Sequence, residues 1–436
     1  MSLFKRWSPR TRRLALAAAA VVALSGLVYT GAQAQADGQA TECKDAAVPV
    51  KVGGTSGSIA GTLCTPPNAT AVQLLVHGWT YNRQYFDTPY ESGTYSYSRA
   101  ANAAGYATFA IDRLAAGESL HPLSLFDTFD NDVRTVHEVV QALRDGSLGS
   151  TFDKVVGVGH STGSAVVTAE VGKYNDLDAV VTTGYTHMFN SVYTAPTVAG
   201  RDYLASGDEQ FADRDLDPLY LTSIPGTRYT FYEKDNADPK MIDTDEKVMR
   251  DTTSLIKLAT MPVPGDLKNQ NRHTNLPVLA VNGAHEPLFC GLGTATCTSD
   301  DAIAEFERKW YGPKATVEGY SVPGTGHDIM LEKNSPKAAK RILRFVDKYV
   351  GHGDGMIGSA PGTRPEIVER SQTRPPLTAR LANKALSAAV LPLVDRYADT
   401  VDPLPGMDGS NPVPITGDLM VAIAKLVGHA QDGLHL

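Results

Sequence analysis

Gly159-His160-Ser161-Thr162-Gly163 sits between a Val-rich run, Lys154 to Gly159, and a run of small residues that reaches Gly172. A serine on a sharp strand-to-helix turn is held in strained backbone geometry that lifts its hydroxyl above the sheet, at the positive end of a helix. Glycines must flank it, because side chains there would meet the neighbouring strand and helix. A serine hydroxyl is a weak nucleophile, so it needs a base to take its proton, and the base needs a carboxylate to orient it. Acyl transfer also puts negative charge on the former carbonyl oxygen, and backbone N–H donors must be waiting there. His160 is read as filling the variable position of the motif.

The elements that would position such a serine alternate along the chain. Strand-like apolar runs cover Val72 to His77, Ala107 to Asp112, Lys154 to Gly159, Ala179 to Gly184, Pro277 to Asn282 and Ala315 to Val322. Helices are expected from Phe129 to Arg144, where Val133, Val136, Val140 and Leu143 recur at helical spacing, and from Ser335 to Val350. Val48 to Cys64 reads as a Gly-rich hairpin. Strands alternating with helices imply a mostly parallel sheet covered on both faces. From about 186 to 275 the chain lacks strong strands but carries Phe189, Tyr193, Tyr203, Phe211, Tyr220, Tyr229, Phe231 and Tyr232, and is expected to form a helical cap insertion. A Gly/Pro-rich linker from Gly351 to Pro376 precedes two apolar-faced helices, Leu377 to Tyr397 and Asp418 to His429, which form a C-terminal helical extension.

From Val48 to Val350 the sequence resembles the α/β-hydrolase superfamily. His77-Gly78-Trp79 stands where family members carry a His-Gly-x turn beside the active site. Asp112, Gly117 and Ser119 match a second family turn, although Ala115 and Glu118 stand where Gly and a variable residue are common. The resemblance implies an α/β-hydrolase fold over residues 37–350 with the order nucleophile, acid, histidine. Ser161 is then the nucleophile. Glu286, in Gly283-Ala284-His285-Glu286-Pro287, is the orienting acid where the family has Asp. His327, in Gly324-Thr325-Gly326-His327-Asp328, is the general base. Thr162 N–H and Trp79 N–H are the implied oxyanion donors, and the Trp79 indole could wall the acyl pocket. Competing carboxylates are Asp328, expected to be a surface or loop-capping residue, and Asp208, Asp213 and Asp235 in the cap. His285 is read as a loop residue.

A serine nucleophile favours acyl transfer to water, that is, a carboxylic-ester hydrolase acting on a small-molecule ester. Aromatic residues in the cap point to an apolar or aromatic substrate. No cofactor or metal is expected. Amide cleavage, transfer to an alcohol and a cofactor-free peroxidase activity share the same triad. A cell-envelope binding protein that keeps the fold without turnover is the alternative of a different class. The 436 residues carry a formal net charge of −8, which argues against a nucleic-acid partner.

The first 36 residues read as a secretory signal. Lys5, Arg6, Arg10, Arg12 and Arg13 precede the apolar run Leu14 to Val28 and then Ala32-Gln33-Ala34, with cleavage expected after Ala34 or Ala36. An uncleaved anchor is the competing reading; cleavage leaves a mature chain without a membrane span, outside the cytoplasm. An even count of four cysteines in an exported chain suggests two disulfides. Of the three connectivities, Cys43–Cys64 with Cys290–Cys297 is expected, the second stapling the acid loop. Zinc ligation lacks the paired spacings it needs. A monomer is the default.

Overall fold

The computed structural model describes residues 41–190, 201–261 and 271–351. The leader, Tyr193 and the C-terminal extension beyond Gly351 lie outside the described residues.

Among the described residues eleven strands form two sheets. In chain order they are β1 (Glu42–Val52), β2 (Thr55–Thr65), β3 (Ala71–Val76), β4 (Ala107–Ile111), β5 (Lys154–His160), β6 (Ala179–Thr183), β7 (Asp202–Leu204), β8 (Tyr220–Ser223), β9 (Thr253–Ser254), β10 (Pro277–Gly283) and β11 (Thr316–Val322). The central eight-stranded sheet runs β1-β2-β4-β3-β5-β6-β10-β11. β2 pairs antiparallel with β4, and every pair from β4 to β11 is parallel. The parallel strands are apolar on both faces because both faces are covered. Along β3, Val72, Leu74 and Val76 enter one apolar cluster, while Ala71 and Leu75 enter the other.

Four helices matter for the site: α1 (Phe129–Asp145), α2 (Thr162–Tyr174), α3 (Asp300–Arg308) and α4 (Ser335–Tyr349). In α1 the Thr128 hydroxyl caps the first turn by accepting from the Asn131 N–H, and Gly146, at φ 81°, ends the helix. Its Val133, Val136, Val140 and Leu143 are buried against the sheet, as their spacing requires.

The insertion departs from its expected helical character. β7, β8 and β9 form a small antiparallel sheet, joined by 3₁₀ turns and the short helix Pro239–Thr244 and followed by the helix Leu255–Thr260. Strands of two to four residues are too short to show a period of two, which is why pattern alone missed them. Phe211 and Tyr220 are buried with Ala115 and Ala205 in a cluster of their own, so these aromatics anchor the insertion rather than line a cavity. Cys43 bonds Cys64 and Cys290 bonds Cys297, the expected connectivity. Among the described residues no helix is long and apolar enough to cross a membrane.

Candidate active site

Ser161 joins β5 to α2 with φ 52° and ψ −122°, a strained conformation for a residue with a side chain that costs about 1–3 kcal/mol. The surrounding packing holds it there. A Cβ on Gly159 would lie 2.4 Å from the Ser164 Cα, and one on Gly163 would lie 2.2 Å from the Val76 carbonyl oxygen. Both glycines are therefore needed for α2 to pack on the ends of β3 and β5. The Ser161 N–H donates to the Thr183 carbonyl at the end of β6 (2.8 Å).

The next residue after Thr183 ties the serine side to the histidine side. Gly184 has φ +56°, and a Cβ there would lie 3.0 Å from His160 Cε1 and 3.2 Å from His327 Cε1. His327, released from the end of β11, brings Nδ1 to 2.6 Å from Glu286 Oε2. Because the carboxylate accepts, Nδ1 carries the ring proton and Nε2 is left as the acceptor. The other Glu286 oxygen accepts from the N–H groups of Leu288 (2.7 Å) and Phe289 (3.3 Å). Burial by itself would raise the Glu286 carboxyl, but the His327 ring and these two N–H groups hold it below its ordinary value. For His327 burial favours the neutral ring, yet Glu286 prevails and the ring is raised above 6.5. The His327 N–H donates to the Phe231 carbonyl of the insertion (2.8 Å), and the Gly326 N–H to Glu332 (2.8 Å). The loop that carries His327 is thus held from two sides.

Two sequence readings need correction here. Asp328 is neither a surface nor a capping residue. It is fully buried, accepts from the Tyr81 hydroxyl at 2.7 Å and lies 3.3 Å from His160 Nε2. His160 does more than fill the motif: its ring is fully buried, lies parallel to Tyr85 at 4.1 Å, and has His327 at 4.8 Å. Burial and then the charge of His327 hold His160 well below 6.5, so it is neutral. The Tyr81 hydroxyl also reaches Asp245 (2.8 Å), which accepts from Tyr232 (2.9 Å) and faces the Arg228 Nε at 3.3 Å. One phenolic proton cannot serve both carboxylates at once, and Asp245 has Tyr232 and Arg228 beside it as well. Burial, the leading cause for both, pushes Asp328 up to about 6 and Asp245 to about 7. A loop residue next to a histidine carries no sequence signal of such burial; only the Tyr81 segment packing over it creates the environment.

The opposite wall is built from the His77-Gly78-Trp79 turn and the start of α2. His77 Nδ1 donates to the Gly78 carbonyl (2.9 Å), and its Nε2 accepts from the Arg113 N–H (2.9 Å). Burial, then Arg113, lowers His77 to about 3, which keeps it neutral in this role. The sequence reading missed Arg113. Its Nη1 donates to the carbonyls of His77 (3.1 Å) and Gly78 (3.3 Å) and to Thr162 Oγ1 (2.9 Å). One guanidinium therefore joins the two segments that carry the Trp79 and Thr162 N–H groups. Asp132 of α1 binds the guanidinium through Nε (3.1 Å) and Nη2, and Lys257 reaches both Asp132 (3.2 Å) and Asp127 (3.0 Å). An arginine directly after Asp112, at the end of an apolar strand, was the available signal.

The remaining predicted residues take other places. The Trp79 indole donates to Asp202 of β7 (2.7 Å), whose carboxyl is pushed by burial to about 7. Asp208 pairs with Arg250, and His285 is an exposed loop residue 2.7 Å from Glu233. Gly117 is required because a Cβ there would fall 2.1 Å from the Asp112 carboxyl. Ala115, where the family has Gly, adopts the same left-handed conformation at φ 71°.

A family model described as the alpha/beta hydrolase family matches residues 73–339. No curated protein matches the chain. Among solved structures it is similar to an esterase from Thermogutta terrifontis, at 16% identity over 70% of this chain and 98% of that one, with a TM-score of 0.45. It is similar to a serine hydrolase involved in carbazole degradation, at 16% identity over 71% and 100%, with a TM-score of 0.42. A third is the 2-hydroxy-6-oxo-6-phenylhexa-2,4-dienoate hydrolase of Rhodococcus sp. strain RHA1, at 14% identity over 70% and 99%, with a TM-score of 0.45. The family match runs from β3 to α4, and so takes in the strands and turns that carry Ser161, Glu286 and His327. On that match, over more than half its length, the chain belongs to the alpha/beta hydrolase family and is a hydrolase.

Proposed function

We propose that the protein is an exported serine hydrolase that cleaves carboxylic esters through an acyl-enzyme on Ser161. The observation that carries this reading is the 2.6 Å contact between His327 Nδ1 and Glu286, which leaves Nε2 to act as base. His327 Nε2 takes the Ser161 proton as the hydroxyl oxygen attacks the ester carbonyl. The resulting imidazolium is stabilised by Glu286, and the oxyanion accepts hydrogen bonds from the Thr162 and Trp79 N–H groups. His327 then returns the proton to the leaving alcohol. In the second half it deprotonates water, which attacks the acyl carbon and frees the acid and Ser161. Arg113 is a positioning residue in this scheme: by holding the His77 and Gly78 carbonyls it turns the following N–H of Trp79 towards the reacting oxygen.

Phosphonate labelling tests the reading. Purified wild type is expected to be labelled covalently and to hydrolyse p-nitrophenyl esters, while Ser161→Ala loses labelling and about 10⁶-fold in kcat. Labelling that survives in the mutant would overturn the assignment. Equal turnover of matched amides would overturn the ester preference. Export rests on the leader and is consistent with the two disulfides; intact Met1 on the protein isolated from cells would exclude cleavage.

A further inference from the structure

Away from the Ser161 end of α2, helices α1 and α2 bring one imidazole and two carboxylates together. His137 Nδ1 of α1 lies 2.9 Å from Asp176 Oδ2 and 3.4 Å from Glu170 Oε1. One ligand atom from each of His137, Glu170 and Asp176 falls within 4.8 Å of the others. Glu170 is fully buried on α2, whereas the side chains of His137 and Asp176 keep 25% and 17% of their surface. The cluster is therefore closed on the core side and open to solvent on the other.

As an ion pair the arrangement is incomplete. A single Nδ1 proton can satisfy one carboxylate oxygen, and Glu170 Oε2 and Asp176 Oδ1 are buried without a hydrogen-bond partner. Leaving such oxygens unmatched is costly. The surroundings are nevertheless ordered. Gln141, one turn beyond His137, donates to Asp176 Oδ2 (2.6 Å), and Arg144 Nε holds the Asp176 carbonyl (3.0 Å). Tyr174 stacks on the His137 ring at 3.7 Å and 10°.

We infer that His137, Glu170 and Asp176 form a binding site for a divalent transition-metal cation, of which Zn²⁺ is the fitting example. One imidazole nitrogen with two carboxylates is a borderline donor set, suited to Zn²⁺ rather than to Ca²⁺ or Mg²⁺, which take all-oxygen shells. Three protein ligands leave the remaining position to water from the open side. Gln141 serves as the outer partner that orients a ligating carboxylate. The cation would clamp α1 to the far half of α2. Glu170 stands nine residues from Ser161 along the chain, about 13 Å at the helical rise, so the role is to hold the nucleophile helix and not to act on substrate. The expectation of no metal rested on the cysteines and on the acyl-transfer chemistry, and neither bears on these helices.

The test uses the untagged full-length protein, stripped with chelator and titrated with ZnCl₂ by calorimetry, with Tm followed in parallel. Wild type is expected to take up a single Zn²⁺ with a rise in Tm. His137→Gln and Glu170→Gln should each weaken uptake about tenfold or more and remove the Tm shift. Asp176→Asn, at a partly exposed loop position, covers the case in which Glu170→Gln does not fold. Co²⁺ in wild type should give a d–d absorption band that Zn²⁺ displaces. Absence of stoichiometric uptake, or uptake unchanged in every folded variant, overturns the site. Ester turnover by the same variants is expected to stay near the wild-type value, so failure here leaves the reading of Ser161 untouched.

Discussion

The two walls around Ser161 place opposite charges nearest to it: a carboxylate against the His327 ring and a guanidinium against the segments that carry the Trp79 and Thr162 N–H groups. Behind His327 stand the carboxyls of Glu286, Asp328 and Asp245, with Arg228 a buried cation among them, while Glu332 is pushed up to about 8 by burial and adds no full charge at neutral pH. Behind the Trp79 and Thr162 N–H groups stand Arg113 and Lys257, with Asp132 and Asp127 on their far side. In the proposed acyl transfer a positive charge appears on the imidazole and a negative one on the carbonyl oxygen. The site is polarised in the same sense before substrate arrives, so little reorganisation is needed when the charges form. The comparison also teaches where specificity of geometry resides: the base side is held by side chains accepting from a ring and a loop, the oxyanion side by one guanidinium holding carbonyl oxygens back.

Removing the anion that faces His327 should break the comparison most severely. Glu286→Gln is expected to lower kcat by about 10⁴-fold, because the amide no longer selects the productive tautomer. The pH profile tests the same point. In the proposed mechanism His327 acts as base only when neutral, and its value is raised above 6.5 by Glu286 against the effect of burial. The acid limb of kcat/KM in wild type should therefore lie above pH 6.5, and in the variant it should move to lower pH. A limb that stays in place would show that another carboxylate, Asp328 foremost, sets the titration.

On the cationic wall Arg113→Lys keeps the charge but cannot reach His77, Gly78 and Thr162 at once. A drop in kcat of about 10²-fold with KM nearly unchanged is expected. A matching rise in KM with constant kcat would mean that Arg113 supports substrate binding instead. Gly184→Ala places a methyl group against both His160 and His327 at a backbone angle that costs about 1 kcal/mol for an L-residue. Turnover should fall more than the change in Tm accounts for, as the His327 ring is displaced; proportionate losses would reduce Gly184 to a packing role. The smallest effect concerns the Cys290–Cys297 staple, which closes a loop with a sequence separation of 7. Cys290→Ala with Cys297→Ala should cost about 2–3 kcal/mol in chemical denaturation and only modestly reduce turnover.

How far the sequence could be read depended on the range of the interactions involved. Ser161 was legible because its constraint is local: the glycines on either side answer to a turn of five residues, and the alternation of apolar runs specifies the parallel sheet. His327 and Glu286 were expected together from the order of the family resemblance, and their side chains lie 2.6 Å apart. The insertion was misread because its strands are two to four residues long, and the burial of Asp328 had no local mark at all. Arg113 stood in view at the end of β4, but its partners are 36 residues before it and 49 after.

The amino-acid sequence alone was enough for the parallel sheet and the strained turn at Ser161, which follow from apolar periodicity and from steric limits on neighbouring residues; it allowed three cysteine pairings, and the fold selected the local one. What surrounds them was set by the tertiary fold: a neutral His160 beside His327, buried Asp328 and Asp245 carboxyls with raised values on either side of Tyr81, and a guanidinium bridging two turns. Those are properties of desolvation and of distance between charges. Both arise when segments far apart in the chain exclude water from the same few ångströms.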